Sequence, residues 1–359
     1  MDAVKEIHPG ANIIYINKEL HEFVQIADWQ DLFSDVKTKC TGFEKSYLFI
    51  DEVQEIREFE RALRGLLAEG LCDIYCTGSN AELLSGEIAT MLAGRALEFR
   101  IHGMSYQEFL EFHNLSDSEE ALQKYMRYGG LPYLIHIELS DNVIFEYLGN
   151  IYSTILFKDV VARHNIRNVH FLERLTQYLA INTGNLMSAK KISDYLKNQN
   201  IRLSLPLVLK YLSFLTATFF VSRVPRAEIG RKKVFEIGEK YYFEDLGPRH
   251  AIIGFHQKDI NRILENLVFL HLRLSGFNVF VGKIGQKEID FVAERNEEKM
   301  YVQVAYLIPD DTVRYREFGN LLEIRDNYPK IVVSMDPIRT PERGIEHLHV
   351  REFLLRTFQ

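Results

Sequence analysis

Cysteine is scarce in this chain. Only Cys40, Cys72 and Cys76 occur among 359 residues. An odd, small number excludes a disulfide framework and fits a reducing compartment, so a cytoplasmic location is expected. Cys72 and Cys76 fall on one side of a segment that reads as a strand. With no third Cys or His close by, they are expected to be buried thiols rather than metal ligands. Long apolar runs are also lacking. None approaches the roughly 20 residues a membrane span needs, and no charged-then-apolar leader opens the chain. No membrane partner is expected. Internal repeats and low-complexity tracts are absent from the sequence. With 43 Lys and Arg against 50 Asp and Glu, the formal net charge is −7. That excludes binding of nucleic acid over the whole surface but allows a local basic patch. His102, His113, His136, His164 and His170 are scattered without metal-ligand spacing and are expected to be structural.

What is present is ordinary for a globular protein: 47% hydrophobic and 26% charged residues, in a length that accommodates two to four domains. Short β-branched or apolar runs at 12–16, 47–51, 74–77 and 96–101 read as strands. Helical spacing between them, at 20–39 and around Phe59, Leu63, Leu66 and Leu67, implies a parallel α/β sheet. Ligands of such sheets sit beyond the carboxyl ends of the strands, where Asp51, Glu52, Ser79 and Asn80 fall. Residues 105–185 turn helical, with a glycine turn at 129–132 and one long amphipathic helix over 142–164. Between 188 and 246, two helices and then two strands follow the winged-helix order. Lys190, Lys191, Lys197, Arg202 and Lys210 lie on those helices, and Arg223, Arg226, Arg231, Lys232 and Lys233 near the turn between the strands. This basic set suits DNA or a docked protein. From 261 onward the pattern is α/β again: a helix with Glu265, strands near 278–282, 288–294 and 300–306, then a helix and a strand at 331–334.

The stretch Tyr47-Leu-Phe-Ile-Asp51-Glu52-Val-Gln54-Glu-Ile56 is an apolar strand ending in two carboxylates, and it resembles the Walker B element of an ATPase. Such a site also needs a phosphate cradle, G-x-x-x-x-G-K-[ST], on an earlier strand and helix. The 46 residues before Tyr47 hold only Gly10 and Gly42, neither in such a motif. Further matches are Thr77-Gly-Ser-Asn-Ala-Glu-Leu-Leu-Ser85, Leu92-Ala-Gly-Arg95, Met104-Ser-Tyr-Gln-Glu-Phe109, Tyr128-Gly-Gly-Leu-Pro132, Glu265-Asn-Leu-Val268, Glu288-Ile-Asp-Phe-Val292 and Gln303-Val-Ala305. In this combination the chain resembles the prokaryotic AAA-type ATP-binding proteins that pair an ATPase domain with a C-terminal domain of unknown function. That family opens with a strand and a phosphate loop. The first strand here matches the family's second, so a truncated nucleotide site is expected.

The resemblance implies ATP and Mg²⁺ as ligands. Asp51 would bind Mg²⁺, Glu52 would place the attacking water, and Ser79 or Asn80 would sense the γ-phosphate. Arg95 would offset transition-state charge, in its own subunit or in a neighbour of a homo-oligomer. The implied layout is an AAA-type ATPase core lacking its first strand and phosphate loop over 1–115, a helical lid-like segment over 116–186, a winged helix over 187–248 and a restriction-endonuclease-like α/β domain over 249–359. In that last domain Glu265, Asp290 and Gln303 match a metal-binding set. The set is degraded, with Gln303 where a carboxylate and Ala305 where a lysine would stand. Glu288 shares a strand face with Asp290. The expected function is an AAA-type ATP-binding protein acting on DNA or a protein partner. The alternatives are a non-catalytic DNA-binding or scaffold protein and a metal-dependent nuclease.

Overall fold

Three apolar runs near the N-terminus form strands β1 (Asn12–Asn17), β2 (Ser46–Asp51) and β3 (Asp73–Cys76). The computed structural model describes residues 1–79, 94–164, 166, 168–199, 204–229 and 233–358. These divide into two compact units, Met1–Arg100 and Ile101–Gln359.

In the first unit β1, β2 and β3 pair in parallel and in sequential order, with Asn17 opposite Asp51 and Ile50 opposite Cys76. Helix Trp29–Cys40 crosses from β1 to β2, and helix Phe59–Glu69 from β2 to β3. The run expected to be helical over 20–39 becomes α-helical only at Trp29. There Asp28 caps the first turn and Asp31 returns the bond to the cap's own N–H. Sequential order with crossovers of one hand puts both helices on one face. They meet closely, since a Cβ on Gly65 would lie 2.8 Å from the Phe33 ring. Ile14, Ile16, Leu32, Val36, Leu48, Ile50, Ala62, Leu63 and Leu66 fill the layer between sheet and helices. A cross-strand row of Tyr15, Phe49 and Tyr75 lies in register, with Phe49 and Tyr75 stacked. Tyr15 and Tyr75 remain exposed.

Two expectations fail here. Residues 96–101 form no strand, and Leu97, Phe99 and Ile101 are 86%, 80% and 89% exposed. Alternation alone does not make a strand; it needs a neighbouring edge to take its backbone hydrogen bonds. Cys40 and Cys72 are buried as expected, but Cys76, the last residue of β3, is exposed.

The second unit opens with helices, among them Tyr106–Phe112, Glu119–Tyr128 and Asp141–Thr154. The last of these continues as a wider π-turn over Ile155–Ala162. Helices Val169–Ile181, Ala189–Asn198 and Leu205–Ala217 then pack on the hairpin of β4 (Val221–Glu228) and β5 (Lys233–Phe243), around Phe171, Leu175, Leu196, Leu212 and Phe243. Strands β6 (Asn278–Ile284), β7 (Lys287–Arg295), β8 (Glu298–Val304), β9 (Lys330–Ser334) and β10 (Glu346–His349) follow. One mixed seven-stranded sheet results, in the order β10-β9-β8-β7-β6-β4-β5. The hairpin therefore belongs to the same sheet as the C-terminal strands, through parallel pairing of β4 with β6.

The glycine turn at 129–132 has a clear physical cause. Asp245 accepts hydrogen bonds from the N–H groups of Gly130 and Gly247, each at 2.7 Å. Gly129 has φ +80°, and a Cβ there would lie 1.9 Å from Asp245 Oδ1. Only glycine fits such an approach.

Candidate functional site

At the carboxyl end of β2 the chain turns sharply. Successive side chains of a strand point to opposite faces, so Asp51 and Glu52 would diverge if the strand continued. Instead Glu52 takes a left-handed conformation, φ 54° and ψ 50°, and starts a tight turn over Val53–Glu55. β3 ends beside this turn. Thr77 N–H donates to Ile50 O at 2.8 Å, and Val53 N–H donates to Thr77 O at 3.1 Å. The two strand tips are thus tied together and their polar side chains converge.

Thr77 Oγ1 donates to Asp51 Oδ1, and Gln54 Nε2 donates to Glu52 Oε2. Ser79 Oγ donates to the same Glu52 oxygen at 3.3 Å and accepts from Gln54 Nε2 at 3.4 Å. Asp51, Glu52, Gln54, Thr77 and Ser79 form one rim, open to solvent on the Thr77 and Ser79 side. Asp51, Glu52 and Ser79 therefore lie together as expected. Asn80 lies outside the described residues. Arg95 is exposed and takes no part in the rim's hydrogen bonds.

This donor set fits part of a nucleotide site. Two neighbouring carboxylates with a hydroxyl beside each suit Mg²⁺ and a metal-bound water. Gln54 Oε1 is buried without a partner, a gap that a water O–H can fill. The phosphates do not fit equally well, because the sequence supplies no Gly-Lys-Ser/Thr loop to surround them.

A second cluster lies in the other unit. Glu288 and Asp290, two apart on β7, point to one face. Glu265 reaches them from helix Ile260–Leu274. At their centre is Lys240 of β5, which sequence reasoning had not singled out. Its ammonium lies 2.6 Å from Glu265, 2.9 Å from Glu288 and 3.5 Å from Asp290. Burial alone would lower the lysine's pKa, but the three carboxyl groups outweigh it and hold the pKa above its ordinary value. Tyr242 Oη donates to Glu265, and Val304 N–H donates to Asp290 Oδ2 at 2.9 Å. Burial, and then the charge of Glu265, push Asp290 up to about 8 against the pull of Lys240. Gln303 turns inward, its Oε1 accepting from the Asp290 N–H at 3.3 Å, and Ala305 is buried. Among the described residues no three His, Cys, Asp or Glu side chains are set to hold a metal ion.

The signal for Lys240 was a lone charge entering an aromatic strand, Lys240-Tyr-Tyr-Phe243. A buried lysine is almost always paired.

Lys190, Lys191 and Lys197 are exposed on helix Ala189–Asn198, and Lys210 lies over the Phe214 ring. Arg223 is paired with Glu239. Arg202, Arg231 and Lys232 lie outside the described residues, as does the side chain of Lys233. No helix among the described residues is long and apolar enough to cross a membrane.

Residues 1–110 match the AAA domain family, which supports an AAA-type, ATPase-like domain in the N-terminal part of the chain. Residues 119–259 match a domain of unknown function, DUF8612. An uncharacterized protein of Haemophilus influenzae is 35% identical over 352 residues, covering 96% of this chain and 86% of that protein. The uncharacterized protein MJ1544 of Methanocaldococcus jannaschii is 33% identical over 325 residues, covering 86% of this chain and 72% of that protein. The chain belongs to the family that these two proteins share. Among solved structures, the Orc1 protein of Aeropyrum pernix in complex with DNA aligns with 70% of this chain and 80% of its own, at 12% identity and a TM-score of 0.30. A score at that level assigns no common architecture.

Proposed function

We propose that this chain is an AAA-type ATP-binding protein, acting on a macromolecular partner through its second unit. The observation that carries this reading is the convergence of Asp51, Glu52, Thr77 and Ser79 at the carboxyl rim of a parallel sheet, within the segment that matches the AAA family. ATP with Mg²⁺ is the ligand. Asp51 would hold the metal, and Glu52, oriented by Gln54 and Ser79, would hold a water. Arg95, exposed and in no hydrogen bond with the described rim residues, suits a neighbouring copy. Because no cradle for the phosphates is encoded here, binding depends on the metal and is weak.

The test is nucleotide binding and turnover by the full chain, with and without Mg²⁺. Weak Mg²⁺-dependent ATP binding is expected, reduced in Asp51→Asn, with any turnover lost in Glu52→Gln. Binding that ignores both Mg²⁺ and Asp51 would overturn the reading and leave a nucleotide-independent scaffold.

For the partner, the three helices and hairpin support a winged-helix reading, and the surface of the third helix favours protein over DNA. Leu205 and Leu209 are exposed on that helix, with Lys210 its single cation. Phosphate contacts need several cations on one surface, whereas exposed leucines suit an apolar partner surface. Duplex DNA binding by the wild type, lost in Lys190→Glu/Lys191→Glu, would reverse that preference.

A further inference from the structure

Strands β8 and β9 run parallel, and past their carboxyl ends the second unit holds a cavity of about 550 Å³ lined in part by Tyr306 and Met335. The two strand tips are tied there, Met335 N–H donating to Tyr306 O at 2.9 Å. Helix Glu119–Tyr128 forms a wall. Its Glu119, Gln123 and Met126 line the cavity and lie four and three residues apart, so they share a helix face. Phe255, Gln257 and Ile260 complete the lining from the segment after helix Leu246–Ile253. Small-molecule sites have volumes of about 300–1,000 Å³, mostly apolar walls and a few placed polar groups. In sheets with parallel strands they lie beyond the carboxyl ends. This cavity meets each of those conditions, and it is remote in sequence from the Asp51–Glu52 rim.

The charges of the lining select the ligand. Lys124 is paired with Glu120 at 2.8 Å. Arg127 is paired with Asp141, and its guanidinium carbon lies 5.2 Å from the centre of the Phe255 ring. Tyr128 Oη donates to the same Asp141. An anionic ligand would have to take these cations from the carboxylates they already hold. Glu119, by contrast, accepts no hydrogen bond and joins no ion pair among the described residues. Its charge acts on His349, whose ring is neutral because Nδ1 accepts the Arg351 N–H. The side-chain amides of Gln123 and Gln257 are likewise without hydrogen bonds among the described residues. The cavity thus offers one uncompensated carboxylate and two open amides over an apolar base. We propose that it binds a small aromatic amine. The ring packs on Met126, Phe255, Ile260 and Met335, since thioethers and aromatic rings make favourable contacts with a ring. The ammonium group pairs with Glu119, and the two amides bond the polar edge of the ligand.

The test is a ligand-observed NMR titration of the full chain with tryptamine and with indole-3-acetate, which share a ring and carry opposite charges. Nucleotide takes no part, so the outcome is separate from that of Glu52→Gln. Tryptamine is expected to bind and indole-3-acetate not to. Gln123 and Gln257 are exposed, so an arginine at either position leaves the fold intact while adding bulk and positive charge to the cavity. Gln123→Arg and Gln257→Arg are each expected to abolish tryptamine binding. Glu119→Gln is expected to weaken it about fivefold, the upper range for one solvent-accessible ion pair, because the apolar contacts remain. Absence of tryptamine binding overturns the proposal, as does equal binding of the two probes. Tryptamine binding that survives either arginine places the probe elsewhere and overturns it too, and a Glu119→Gln as tight as wild type removes the pairing on which the amine rests.

Discussion

Asp245 shows how one side chain fixes the backbone of two separate segments. Its carboxylate takes the N–H groups of Gly130 and Gly247, and the close fit leaves no room for a methyl group. A Cβ on Gly247 would stand 2.4 Å from Tyr128 O, a backbone atom that cannot swing aside. Gly247→Ala is therefore expected to destabilise the second unit by about 2–3 kcal/mol, the range for overpacking a tight interior. Urea unfolding measures this, and a loss below about 0.5 kcal/mol, the size of an ordinary surface change, would show that the segments part easily. At this scale the sequence was legible where function lies in adjacent residues. Asp51 and Glu52 could be read from a strand ending in two acids, and Gln54 and Ser79 accompanied them in the same motifs. Lys240 could not be placed, because its partner Glu265 is 25 residues away, on helix Ile260–Leu274. Gln303 was read as a weak metal ligand, whereas it bonds to the Asp290 backbone.

Between elements, the same division holds. Short apolar or β-branched runs announced β1, β2, β6, β7, β8 and β9, because each of those strands finds the partners its pattern requires. β10 escaped notice: its four residues, Glu346–His349, carry two histidines and gain their stability from parallel pairing with β9. Residues 96–101 show the opposite error, a strand-like pattern without a partner edge. β3 is the complementary case. It pairs with β2 alone among the described residues, and Tyr75 is 50% exposed. An edge strand leaves alternate N–H groups open to water, and local opening exposes the rest sooner. In hydrogen exchange, peptides covering Asp73–Cys76 should therefore exchange well ahead of those covering Ser46–Asp51, which is flanked by strands on both sides. Equal protection of the two would mean that another segment covers the β3 edge.

For the whole molecule, the two units should respond differently to pH. In the second unit burial raises two carboxyls, Asp245 to about 6 and Asp290 to about 8, from an ordinary 3.8. Burial lowers five histidines from an ordinary 6.5, His250 to about 3 and His271 to about 4, with His113, His347 and His349 shifted the same way. A raised carboxyl keeps a proton that the unfolded chain has released, so its stabilisation is complete below 3.8 and lost as pH climbs to the raised value. A lowered histidine acts oppositely, since the unfolded chain holds the extra proton and stability grows with pH until 6.5. Below 6.5 the five histidines outweigh the two carboxyls, while above it Asp290 alone remains, among Lys240, Glu265, Glu288 and Glu317. Stability of the second unit should thus rise toward pH 6.5 and then fall toward pH 8, the fall being at most about 1.4 kcal/mol per pH unit, the slope of one proton. Asp290→Asn should remove that fall. The single tryptophan, Trp29, belongs to the first unit. The pH-dependent transition should therefore appear in far-ultraviolet circular dichroism and leave the tryptophan fluorescence midpoint unmoved. A wild type that lacks the fall, like Asp290→Asn, would refute the assignment to Asp290, and a Trp29 midpoint moving in step would show that the two units unfold as one.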